Sequence, residues 1–365
     1  MDQAGTSSVG TQHPGSVDRL PGMRAVVYDA FGRLPELRDV APPVCPPDGA
    51  LIRVEATGVC RSDWHAWLGH DDTVRPPHVP GHEFAGVVAE LGATVRSSSV
   101  GQRVTVPFVC ACGRCEQCRE GNQQVCSEQT QPGFTHAGSF AEFVAVHHAD
   151  VNLVPLPDAI DSVTAAGLGC RFATAYRAVV AHGRVQPGSW VAVHGCGGVG
   201  LAAIMIATAH GAQVVAVDVN PAALDLAREF GAVHTLAPPA AQEMVALTGG
   251  GVHVSVEALG RARTFADSIA GLRRRGRHIQ VGLLVADDAN PPTDMAAVIG
   301  CELEIVGSHG MAAHAYPQML AEIAAGRLHP ARLVSRVIGL EQAPRALATF
   351  ATNGHAGATV VRMEH

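Results

Sequence analysis

"SWVAVHGCGGVGLAAIMIATAHGAQVVAVD", residues 189–218, decides the fold. A short apolar strand, "SWVAVHG", turns through "GCGGVG" at Gly195–Gly200 into the apolar helical run "LAAIMIATAHG", and a second strand, "AQVVAVD", closes on Asp218. A G-x-G-x-x-G run alone says little. Between a strand and a helix, with an acid about 20 residues on, it is the pattern of a dinucleotide-binding βαβ unit. Gly195 makes the turn, Gly197 lets backbone approach a pyrophosphate, and Gly200 lets the helix pack close to the strand. Gly198 and Val199 complete the loop, and the helix start offers free N–H groups to phosphate. Asp218 is expected to accept from the adenosine ribose hydroxyls and to repel a 2′-phosphate, which favours NAD over NADP. No arginine stands at Val219, Asn220 or Pro221 to reverse that. The thiol of Cys196 is expected close to the pyrophosphate. The alternative is a βαβ unit that holds no nucleotide.

Outward from this unit the alternation continues. "HVSVEALG", "GRHIQVGLL" and "ELEIVGS" read as strands, "PAALDLAREFGA" and "RARTFADSIAGLRRRG" as helices, with the arginines at a helix end. That predicts a doubly wound parallel sheet over residues 172–310. Upstream, "MRAVVY", "ALIRVEA", "EFAGVVAELG", "QRVTVPF" and "SFAEFVAVH" are short, β-branched and set apart by Pro/Gly clusters, the pattern of a mostly β domain over 23–171. A late strand-like run, "GATVVRM", closes the segment 311–365. Residues 1–22 are small and polar and are expected to form a disordered lead-in.

Composition narrows the function. A chain of 365 residues accommodates two domains. A net charge of -7 argues against nucleic acid or an anionic membrane as partner. No apolar run reaches the roughly 18 residues of a membrane helix, and the first residues lack the apolar core of a secretory signal, so a cytoplasmic protein is expected. The 26 basic residues are all arginine. The absence of lysine excludes Schiff-base chemistry, a pyridoxal phosphate anchor and a P-loop lysine.

Of the ten cysteines, five lie in "CACGRCEQCREGNQQVC", residues 110–126. Cys112, Cys115, Cys118 and Cys126 have the C-x2-C-x2-C-x7-C spacing that turns thiolates onto one tetrahedral ion, with Gly113 and Gly121 for the turns. Four thiolates leave no position for water, so the site is structural. An iron–sulfur cluster or a redox thiol switch are the alternatives, and Cys110 is read as a neighbour of the site. An open site needs other residues. "GVCRSDWHAWLGH", "VPGHEFAGVVAELG" and "GLGCRFATAY" offer Cys60, His82 with Glu83, and Cys170. Two cysteines and a histidine form a zinc set with its fourth position free.

Together these motifs resemble the zinc-containing medium-chain alcohol dehydrogenases, over nearly all the chain after residue 22. The resemblance implies a GroES-like β-rich catalytic domain (23–171, with the zinc lobe 110–126) and a Rossmann NAD-binding domain (172–310), residues 311–365 returning to the first. It implies two zinc ions, one catalytic on Cys60, His82 and Cys170 and one structural on the four-cysteine lobe. By the same resemblance Glu83 is the carboxylate that can approach the catalytic metal, and Asp63 orients the ligand histidine. Ser62 takes the substrate proton and His65 relays it. Arg61 contacts the cofactor pyrophosphate, Thr174 packs beside the nicotinamide, and Trp67 and Phe108 line the substrate pocket. The implied reaction is reversible hydride transfer between a primary or secondary alcohol and NAD+. A polyol, sugar or amino-alcohol dehydrogenase of the same superfamily is the runner-up, and an NADH- or redox-sensing protein the non-enzyme alternative. A homo-oligomer, tetramer before dimer, is expected. The chain departs from many NAD-using relatives in lacking a basic residue soon after Asp218.

Overall fold

Six strands, most of them apolar, are linked by helices into one parallel sheet. Its strands run Ala232–Leu236, Gln213–Val217, Trp190–His194, Val252–Glu257, Leu272–Gln280 and Glu304–Gly307. Counted within the sheet that order is 3-2-1-4-5-6, which leaves a crevice where the order reverses, between Trp190–His194 and Val252–Glu257. The computed structural model describes residues 22–351 and 357–364, so the expected lead-in lies outside the described residues apart from Gly22.

The first half folds as a seven-stranded sheet centred on Ala50–Val59, whose ten residues are mostly buried. Phe84–Leu91, Phe143–Val146 and Ala358–Arg362 all pair with that strand in antiparallel fashion. Val334–Ile338 adds in parallel to Ala358–Arg362. Met23–Val27 forms a separate hairpin with Glu36–Val40, a strand whose charged sequence, "ELRDV", hides it from a hydrophobicity reading. The fold is thus a GroES-like β-rich unit joined to a Rossmann unit. Met311, Tyr316, Met319, Leu320 and Leu328 are buried with the helices of the parallel sheet, and the chain re-enters the first sheet at Val334.

Two local expectations are corrected. Arg273–Gly276 do not end a helix. The helix stops at Ala270, and these residues lie in the strand Leu272–Gln280. There the pairing jumps from Leu272 opposite Val252 to Arg277 opposite Val254, an irregularity that displaces the arginines outward. Nor does Cys196 offer its thiol to the cofactor loop. It is buried in the core, its Sγ lies 3.9 Å from the Val217 carbonyl, and burial pushes the thiol up to about 12.

Gly200 shows how tightly the first helix of the parallel unit meets its strand. A Cβ built there would lie 1.8 Å from the Gly195 carbonyl oxygen. Relief requires backbone movement, so Gly200→Ala is expected to lower stability by about 1–3 kcal/mol, the usual cost of overpacking. Denaturant unfolding measures it.

Candidate active site

The strand Ala50–Val59 delivers Cys60 to the end of the first sheet, and the chain turns at once into the helix Arg61–Trp67. Asp63, on the first turn, is fully buried. One of its oxygens accepts the Cys60 N–H at 2.9 Å, and the other accepts the Gly81 N–H at 3.2 Å and pairs with His82 Nδ1 at 2.7 Å. A hydrogen bond from Nδ1–H to a carboxylate fixes the ring's tautomer and leaves Nε2 with a lone pair. Nε2 of His82 is buried and has no hydrogen-bond partner among the described residues.

Cys170 arrives from the other side, on a one-turn widening of the helix at Leu168–Phe172, a distortion common at functional sites. One donor atom from each of Cys60, His82, Glu83 and Cys170 lies within 4.8 Å of the others. Two thiols, an imidazole nitrogen with a free lone pair and a dry setting fit zinc. The sulfurs are unequal. Cys60 is pulled well below the ordinary thiol range, first by its hydrogen bond with Cys170 and then by His82 and the charge of Arg171. Cys170 moves the opposite way.

Glu83 is more constrained than a carboxylate free to approach a metal. It is fully buried and accepts from the Arg171 backbone N–H at 3.0 Å, from Nε at 3.1 Å and from Nη2 at 2.5 Å. Burial raises its pKa, and the Arg171 charge partly offsets that. Arg171 was not singled out in the sequence. A cation next to Cys170 carries no signature of its own, and its partner stands 88 positions away.

Ser62 and His65 sit half-buried on the helix that follows Cys60, and Arg61 is exposed at its start. Thr174 is buried on Ala173–Tyr176, four residues beyond Cys170. Phe108 meets His82 edge-on with ring centres 6.3 Å apart and His309 at 5.1 Å, which puts it beside the cluster. Trp67 is a correction. Its ring is packed in the core of the first sheet, and its indole N–H donates to the Arg33 carbonyl at 2.6 Å, so it serves packing.

The lobe forms a second group. Cys115 Sγ lies 3.4 Å from that of Cys118 and 3.7 Å from that of Cys126, and Cys112 Sγ is 4.0 Å from that of Cys118. Backbone N–H groups of Arg114 and Cys115 point at Cys112 Sγ, and that of Cys112 at Cys126 Sγ. Such bonds favour thiolates, and Cys115 is drawn down to about 6, chiefly by a backbone hydrogen bond from Cys118. Cys110 lies outside the group. Its thiol bonds the Pro107 carbonyl at 3.6 Å, and burial pushes it up to about 12.

At the parallel sheet, Gly195 adopts φ +91° and a Cβ on Gly197 would meet nothing within 4 Å, so the loop face there is open. Gly198 and Val199 begin the helix Gly198–Ala209. Asp218 accepts the Cys196 N–H at 2.6 Å and the Asn220 N–H at 2.8 Å, which ties it to the glycine loop. Glu257, missed in the sequence, is buried at the end of Val252–Glu257. It accepts from the Leu259 and Gly260 N–H groups, Thr264 Oγ1 and Gln280 Nε2, and so shapes the loop beside Gly195. The two sites meet through Arg171, whose Cδ would lie 2.8 Å from a Cβ on Gly198.

Asp63→Asn is expected to weaken metal retention about 10- to 100-fold, the usual effect of losing the partner of a ligand histidine. Competition with a chromogenic chelator measures it.

Comparison with known proteins agrees with this geometry. Residues 46–158 match the family model described as "Alcohol dehydrogenase GroES-like domain" and residues 198–325 that described as "Zinc-binding dehydrogenase". An alcohol dehydrogenase of Geobacillus stearothermophilus is 35% identical over 270 residues, 73% of this chain and 78% of the relative. A sorbitol dehydrogenase of Bacillus subtilis is 32% identical over 312 residues, 82% and 86% of the two chains. The solved structure of an alcohol dehydrogenase from Thermus sp. ATN1 superposes with a TM-score of 0.86 at 33% identity, covering 94% of this chain and 100% of that one. The chain belongs to the zinc-dependent medium-chain alcohol dehydrogenase family.

Proposed function

We propose that the chain is an NAD-dependent zinc alcohol dehydrogenase that interconverts primary or secondary alcohols with their aldehydes or ketones. The observation that carries this is the joining of an open donor set, Cys60, His82 and Cys170, to a glycine loop through Arg171. Bound at its site, zinc would supply a Lewis acid that favours loss of a hydroxyl proton, and NAD+ would supply the hydride acceptor. Asp63 holds His82 in the tautomer a metal needs. Ser62 takes the hydroxyl proton and His65 carries it away. Arg61 and the loop Gly195–Gly200 hold the pyrophosphate, Asp218 the ribose, and Thr174 packs beside the nicotinamide. Phe108 narrows the substrate pocket. Cys112, Cys115, Cys118 and Cys126 hold a second, structural zinc.

The pairing of Glu83 with Arg171 favours the alcohol branch over a polyol enzyme that uses glutamate as a metal ligand, because Glu83 would have to abandon three hydrogen bonds to ligate. The test follows NADH formation at 340 nm with primary, secondary, benzylic and amino alcohols and polyols, using NAD+ and NADP+ separately. Turnover of simple alcohols with NAD+, abolished in Cys60→Ala, is the expected result. Turnover confined to polyols would replace this reading with the polyol one, and a preference for NADP+ would overturn the role of Asp218.

We also propose a homo-oligomer, a tetramer first. The edge strand Glu304–Gly307 presents exposed Ile305, and Leu283, Val285, Met295 and Ile299 are exposed in the neighbouring segments. An open apolar edge of this kind is ordinarily covered. Another copy of the chain is the cover we propose. Sedimentation equilibrium is expected to return a multiple of 37.8 kDa; a monomer would end the proposal.

A further inference from the structure

The helix that carries Ser62 and His65 ends in an unusual way. Past its last residue, Trp67, Gly69 takes φ +82° and packs on Phe31, where a Cβ would lie 3.0 Å from the ring. Gly69 N–H donates to the Ala66 carbonyl and His70 N–H to the His65 carbonyl, each at 3.0 Å. This pair of bonds is the Schellman closure, which folds the residue after the glycine back over the helix's third-last position. Two apolar side chains normally meet there. Here the two are His65 and His70, and their Nδ1 atoms lie 3.0 Å apart.

We propose that His70 is the outer half of the proton path, receiving from His65 and releasing to water. The proposal rests on the reading of His65 as the relay. His65 is half-buried and His70 is exposed, so the pair spans the step from site to solvent. A hydrogen bond between two Nδ1 atoms requires one ring to hold the proton and the other to accept it. Before alcohol oxidation, His65 carries Nδ1–H with Nε2 free, and His70 carries Nε2–H. A proton from the site binds His65 Nε2. The His65 Nδ1–H then moves to His70 Nδ1, and His70 gives its Nε2–H to water. One proton enters and one leaves. The bond survives with its direction reversed, and both rings are then poised to carry a proton inward for carbonyl reduction. The groups facing His65 are His70, Arg61, Cys60 and, from the parallel-sheet half, Arg261. Burial first, then the charges of His70 and the arginines, hold its pKa below the ordinary value against the pull of Cys60.

The test compares His70→Leu, which keeps an apolar contact at the helix end, with His70→Gln and His65→Gln in the zinc-loaded enzyme. Expected is a fall in kcat for alcohol oxidation of about tenfold in both His70 variants, less than the roughly 10²–10⁴ of a group acting directly on the substrate. KM for NAD+ and zinc content should be unchanged, the pH profile of kcat should shift, and imidazole buffer should restore the rate. Wild-type rates in both His70 variants alongside a slow His65→Gln would overturn the proposal, because His65 would then discharge directly to water. Wild-type rates in all three would remove the relay reading of His65 and this proposal with it. Nitrogen-15 NMR of the two rings reads the pair without turnover. Opposite tautomers sharing one Nδ1 proton support it, and two independently titrating rings refute it.

Discussion

The buried carboxylate of Asp63 is the constraint on which the site depends. Within about 3 Å it gathers the N–H of Cys60, the ring of His82 and the backbone of the loop before that histidine. These partners come from two segments 19 positions apart. A carboxylate with no solvent contact is costly to bury unless it is satisfied. The same satisfaction brings the end of Ala50–Val59 and the start of Phe84–Leu91 into one register. The placement of Cys60 and of His82 at these strand ends is thus shared by one carboxylate.

A second buried charge pair links the halves of the molecule. Glu83 belongs to the first sheet, and Arg171 to the helical segment that leads into the second. Because the stem of Arg171 lies against Gly198 while its guanidinium pairs with Glu83, the glycine loop and the cluster of Cys60, His82, Glu83 and Cys170 share one side chain. Breaking such a pair would leave the remaining charge stranded in the interior, at a cost of about 3–5 kcal/mol.

Much of this was legible in the sequence. The glycine loop and the four-cysteine lobe are short-range patterns whose spacing follows from the geometry they serve, whereas Cys60, His82, Cys170 and Asp63 stand far apart in the chain and took their meaning from the family resemblance before the fold brought them together. Less legible was whatever depends on a distant partner or on side-chain direction. Arg171 and Glu257 have meaning only through residues that the fold brings to them. Trp67 shares a helix with Ser62 and His65, but helical periodicity turns it into the core. Cys196 sits inside the nucleotide motif, yet its thiol turns away from the loop. The arginines at 273–275 read as a helix end because a strand irregularity leaves no mark in hydrophobicity.

The strand Ala358–Arg362 has a consequence for how the molecule is made. It borders Ala50–Val59, pairing Thr359 with Val59 next to Cys60, yet it follows the whole parallel sheet in the chain. During synthesis the strand that leads into Cys60 emerges early and keeps an open edge until the whole parallel sheet has been translated. The parallel sheet can close as a unit while the first sheet waits for its last strand. The edge of the first sheet beside Cys60 is therefore completed only after the parallel sheet has been made.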